Sequence, residues 1–139
     1  MKYALGRIFA EELSISMNNV KVEPNTRIEI KHSRKVDQRN EKIWTMMMEA
    51  KIQSTDANPT PYNMTARLVG VFEAEGVESD LDKEELTFNM AEALWPYLRS
   101  AITNMTTNAF IAPLILPVSP TAMMPAQPDA KPAGDGTLN

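Results

Sequence analysis

Residues 94–117 read LWPYLRSAITNMTTNAFIAPLILP, a helix-like stretch that runs directly into an apolar segment spaced by prolines. In its first part Leu98, Ala101, Ile102 and Met105 recur at three- and four-residue spacing, the mark of one apolar helix face. Arg99, Thr103 and Thr106 point elsewhere. Leu86, Met90 and Leu94 carry the same stripe backwards, so the helix is predicted to begin near Asp82. Pro96 lacks an N–H and crowds the preceding turn, which predicts a kink or a restart there. In the second part Pro113, Pro117 and Pro120 exclude a central strand or a continuous helix. Yet every residue from Phe110 to Val118 is apolar or proline, so leaving the segment in water is unfavourable.

Ahead of the helix the pattern changes to period two, the signal of half-buried strands. Tyr3, Leu5, Phe9, Leu13, Ile15 and Met17 share one parity over residues 3–18, a length that predicts a bulge near Gly6 or Glu11. A shorter strand is predicted over 26–36, with Ile28 and Ile30 on one face, and a polar loop over Ser33–Glu41. In 42–55 Trp44, Met46, Met48, Ala50 and Ile52 alternate with Thr45, Met47, Glu49 and Lys51. After the turn signal DANPTP (56–61), a fourth strand over 62–74 places Tyr62, Met64, Ala66, Leu68, Phe72 and Ala74 together. Strands consecutive in sequence and joined by short polar links tend to pair antiparallel. EAEGVESDLDKEE (73–85) reads as a solvated loop whose acids suit a helix N-terminus. The expected architecture is α+β: a four-stranded antiparallel sheet with one long kinked helix on one face. Residues 1–120 form the domain, and 121–139, rich in proline, read as a disordered tail.

The 139 residues suffice for one domain, and a net charge of −4 argues against nucleic-acid binding. No apolar run approaches ~20 residues, so no membrane insertion is expected. Arg7, Glu11 and Glu12 break up any signal-peptide core, and there are no cysteines; both fit a cytoplasmic protein. No catalytic constellation appears, and the five glycines form no phosphate-binding loop. The single histidine, His32, reads as an exposed strand residue, so no metal site, cofactor or enzymatic activity is expected. What the sequence does carry is an apolar surplus. The helix has a second stripe (Phe88, Ala91, Trp95), and one helix cannot cover it, the sheet face and FIAPLILP within a single chain. Self-association or a binding groove follows.

The chain resembles the SecB export chaperones and SecB-like chaperones over residues 3–118. GRIFAEELSISMNN (6–19) is similar to the family's first strand, and ALWPYLRSAITNMTTNAFIAPLILPVSP (93–120) to its long helix and following loop. The Trp95-Pro96-Tyr97-Leu98-Arg99 element, Ile102-Thr103 and the proline-leucine-proline segment are the most specific part. The resemblance implies an ATP-independent holdase that keeps non-native polypeptide in apolar grooves and assembles as a homotetramer, a dimer of dimers. It implies client contacts at Ile28, Ile30, Trp44, Met46, Phe110, Ile111, Leu114 and Leu116, and oligomer contacts at Met64, Ala66, Leu68, Leu98, Ile102 and Met105. The client would be an unfolded preprotein or, as in SecB-like chaperones beside toxin–antitoxin pairs, an antitoxin. The family's second C-terminal helix is expected to be shortened or absent, because SPTAMMPAQPDAKP (119–132) is too proline-rich. The family contacts the SecA motor through acids on the outer sheet face. Glu12 matches one, whereas Ser16, Asn63 and Thr65 stand where others would be, which weakens the expectation of SecA binding. A ligand-binding sheet wrapped around a helix, as in hotdog-like thioesterases, and a plain interaction scaffold are the alternatives.

Overall fold

The computed structural model describes residues 1–20 and 28–120. The expectations for the tail at 121–139, and with them the question of a second C-terminal helix, lie outside the described residues. Four strands, β1 (Lys2–Met17), β2 (Lys31–Gln38), β3 (Ile43–Ile52) and β4 (Tyr62–Glu75), precede one helix, α1 (Asp80–Asn108). The strands form one antiparallel sheet in the order β1-β4-β3-β2. Thus β1 pairs with the last strand rather than with its neighbour in sequence. β1 and β2 stand at opposite edges of the sheet, so no tight hairpin joins them.

Alternation holds without interruption in the two central strands. Trp44, Met46, Met48, Ala50 and Ile52 of β3 face the helix with Tyr62, Met64, Ala66, Leu68, Phe72 and Ala74 of β4, and all are buried. In β1 the register skips Gly6 and Glu11, so bulges stand at both expected positions. Each bulge flips the parity. Tyr3, Leu5, Ile8, Ala10, Leu13, Ile15 and Met17 therefore share the inner face, and Phe9, expected with them, lies on the outer face opposite Val69. The second strand corrects the prediction. It starts at Lys31 and continues to Gln38, through most of the predicted loop, while Ile28 and Ile30 precede it. An edge strand needs apolar residues on one face only and is kept from open-ended pairing by charge, so its polarity disguises it.

α1 begins two residues before the predicted start. Ser79 caps it: its hydroxyl accepts the Asp82 N–H, and the Asp82 carboxylate accepts the Ser79 N–H. Leu86, Met90, Leu94, Leu98, Ile102 and Thr106, four residues apart throughout, are all fully buried against the sheet. α1 is continuous across Pro96, so the helix does not restart there. Pro96 sits on the exposed side, where a helix can bow outward and water can take the carbonyl that loses its partner. Helix and sheet pack tightly at Gly70, where a Cβ would stand 2.9 Å from the Phe72 ring and 3.3 Å from Leu94.

Candidate functional site

After α1 the chain turns at Ala109 and runs back along the helix. Its prolines cannot donate, so the segment cannot join a ladder as an ordinary strand. Helix side chains satisfy it instead. The Trp95 indole N–H donates to the Pro117 carbonyl (2.8 Å), Arg99 Nε to that of Leu116 (3.0 Å) and Thr103 Oγ1 to that of Leu114 (2.9 Å). Thr106 Oγ1 accepts the Leu114 N–H at 2.9 Å. Arg99, Thr103 and Thr106, which the sequence reading left without a task, anchor this segment together with Trp95 of the second apolar stripe. Their four-residue spacing at 95, 99 and 103 is the signal that could have revealed it.

Pinned this way, the segment divides. Leu116 is buried in the core, Ile111 and Leu114 are half-buried against it, and Phe110, Ile115 and Val118 are exposed by 97%, 68% and 80%. Ile115 and Val118 were not among the expected client contacts. Phe110 has φ +61°, a left-handed conformation that ordinarily selects glycine or asparagine at a helix end. Ile28 and Ile30 are partly buried at the rim of the core. Trp44 and Met46, expected as client contacts, are 5% and 0% exposed and belong to the core of the single chain.

The residues expected at an oligomer seam are placed in the same way. Met64, Ala66, Leu68, Leu98 and Ile102 fill the core of the single chain, and only Met105 is partly exposed. Apolar side chains left uncovered include Tyr3, Leu13 and Met17 on the inner face of the β1 edge, Phe9 on its outer face, and Leu81, Phe88 and Tyr97 on α1. On the outer sheet face Glu12, Ser16, Asn63 and Thr65 lie together as the family pattern implied. Glu12 is already engaged there, 3.5 Å from Arg67, which also binds Glu49 at 2.7 Å.

His32 is buried, contrary to expectation, with its ring edge-on to Trp95 at a centroid separation of 5.2 Å. Among the described residues neither ring nitrogen has a hydrogen-bond partner, nor has Trp44 Nε1. Burial, with help from the charge of Arg34, pushes the imidazole down to about 4. The unfolded chain therefore takes up this proton near pH 6.5, before the folded protein does, so protonation favours unfolding. Stability is expected to be complete above that pH and to fall by roughly 2–3 kcal/mol as pH drops toward the folded value. His32→Leu should flatten this slope, measured by urea unfolding at several pH values. A variant as pH-dependent as the parent would assign the slope to carboxylates.

The family model described as preprotein translocase subunit SecB matches residues 2–127. The chain belongs to the SecB family, a non-enzymatic chaperone family, and the function at this level is that of a chaperone. A solved structure, the Mycobacterium tuberculosis Rv1957 SecB-like chaperone in complex with a ChAD peptide from the Rv1956 HigA1 antitoxin, shares the fold with a TM-score of 0.67. The two are 12% identical over 83% of this chain and 88% of that one. A Streptococcus agalactiae protein of unknown function aligns with a TM-score of 0.49 at 12% identity, over 84% of this chain and 98% of that one. No curated protein matches the sequence. Among the described residues no helix is long and apolar enough to cross a membrane.

Proposed function

We propose that the protein is an ATP-independent holdase that keeps non-native polypeptide on the apolar surface formed by Ile28, Ile30, Ile111, Leu114, Phe110 and Ile115. The observation that carries this reading is Phe110. A left-handed phenylalanine is strained by about 1 kcal/mol, and one exposed by 97% recovers nothing within its own chain. Such a residue makes sense where the side chain is used by something else. Assembly as a homotetramer, a dimer of dimers, would cover the apolar residues at the β1 edge and on α1 and leave this surface open. The client is a preprotein or an antitoxin. The antitoxin peptide bound to the related M. tuberculosis chaperone favours the second as an alternative to general export. SecA docking has little support, because Glu12 is held by Arg67 and no other acid replaces Ser16, Asn63 or Thr65. The setting is cytoplasmic.

The test is aggregation suppression. A chemically unfolded, slow-folding protein is diluted into buffer containing the chaperone without nucleotide, and light scattering is followed. Suppression near stoichiometric amounts is expected. No suppression by the folded protein in large excess would leave a scaffold that covers this surface with one permanent partner. Phe110→Gly separates strain from function. It should raise stability by about 0.5–1 kcal/mol, since glycine adopts the conformation freely, and at the same time weaken holding. A variant that gains stability and holds clients as well as the parent would remove Phe110 from the binding surface.

A further inference from the structure

Among the described residues the His32 ring gives the fold no hydrogen bond, yet it is buried on the inner face of β2, opposite Ala50. Burial pushes its pKa down to about 4, so the imidazole is neutral at physiological pH and packs as an uncharged ring. That ring stands edge-on to Trp95, at an interplanar angle of 86° and a centroid separation of 5.2 Å. Trp95 is 0% exposed, and its indole N–H donates to the Pro117 carbonyl at 2.8 Å. One ring contact and one hydrogen bond therefore connect the edge strand of the sheet to the candidate binding segment.

The second side-chain torsion of tryptophan is broad, so packing decides where the indole N–H points. The donor lies on one edge of the ring, and a turn of the ring takes it off Pro117. The loss matters because the segment is sorted by its held carbonyls. With those of Leu114, Leu116 and Pro117 fixed to α1, Leu116 is buried and Ile115 is 68% exposed. A functional surface is only as well placed as the residues that lock its supports. We propose that His32 is a positioning residue: its ring holds the Trp95 indole at the angle that bonds Pro117, which keeps Ile115 turned toward a client. The inference rests on the holdase reading and brings into it a side chain from the sheet edge.

The experiment reads the Trp95 indole N–H and client affinity in the same full-length variants. Nitrogen-correlated NMR gives one indole signal for each of the two tryptophans, and Trp44→Phe identifies which is which. His32→Val keeps an apolar strand residue but no ring. It removes two unpartnered buried nitrogens, so urea unfolding should show little loss of stability. Solvent exchange of the Trp95 N–H should nevertheless rise roughly tenfold. Binding of a fluorescently labelled peptide rich in leucine and phenylalanine, followed by anisotropy, should weaken about fivefold. His32→Phe, which restores a ring, should return both toward the parent. Trp95→Phe keeps a ring but no donor, and should weaken the peptide as much as His32→Val does. The double variant should bind no worse than either single one, because both act through one bond. Parental affinity in folded His32→Val, or losses that multiply in the double variant, would overturn the proposal and leave the holdase reading standing. A parent that neither binds the peptide nor suppresses aggregation would overturn both.

Discussion

Ala66→Arg is expected to abolish the folded state. Ala66 lies on the inner face of β4, between Leu13 of β1 and Ala50 of β3, and is 0% exposed beneath α1. A guanidinium there has no acid to pair with, because the inner face is uncharged apart from the guanidinium of Arg34 on the far strand. It also has no room, since the two small residues of that row let the helix stripe pack close. Unpaired burial and overpacking together cost at least 3–5 kcal/mol, a large share of the stability of a domain this size. The expected result is loss of a cooperative urea transition. The control is Val71→Arg, one face away. Val71 is on the outer face, partly exposed, so its change should stay within about 1 kcal/mol. A folded Ala66→Arg protein with reduced mass by light scattering would mean that this position belongs to a seam between chains.

Leu116→Asp should destabilise by about 3–4 kcal/mol, whereas Ile115→Asp, its neighbour, should change stability by less than about 0.5 kcal/mol. Leu116 is 2% exposed and joins the core, and Ile115 is 68% exposed. The large effect has two parts. A carboxylate replaces a buried leucine, and the segment it displaces carries the carbonyls that satisfy Trp95 and Arg99. Releasing the segment leaves the buried Trp95 indole N–H without an acceptor, a further penalty on the order of 1–3 kcal/mol unless water replaces it. Client holding separates the two variants again. Ile115→Asp should lose it with the fold intact, because a charge is introduced into an apolar contact surface. Urea unfolding and aggregation suppression, run on both proteins, check the pair. Equal loss of stability in both would mean that the segment packs as a rigid unit and that exposure does not partition it.

Much of this arrangement is legible in the sequence, because much of it is dictated by period. Alternation in 43–52 and 62–75 selects the inner face residue by residue, and the four-residue stripe from Leu86 to Ile102 selects the face of α1. Prolines at 113 and 117 exclude regular structure in the segment that follows. These are local constraints, set by where successive side chains must point. Other features were settled by long-range contacts. β1 pairs with β4, across almost the whole domain, and its two bulges move Phe9 to the outer face. β2 forms from a polar stretch because an open edge of β3 accepts it. Pro96 is tolerated because of the side of the helix on which it falls.

The candidate site follows the same division. That Phe110–Val118 must be covered or used is a statement about composition, and the sequence makes it by itself. Which of its residues are covered is a statement about anchors. Trp95, Arg99, Thr103 and Thr106 hold one side of the segment to the helix, which buries Leu116 and turns Ile115 outward. Hydrophobicity is equal for the two residues. The hydrogen bonds to the Leu116 and Pro117 carbonyls distinguish the core from the surface, and those come from helix residues 17 and 22 positions away in sequence but in contact in space.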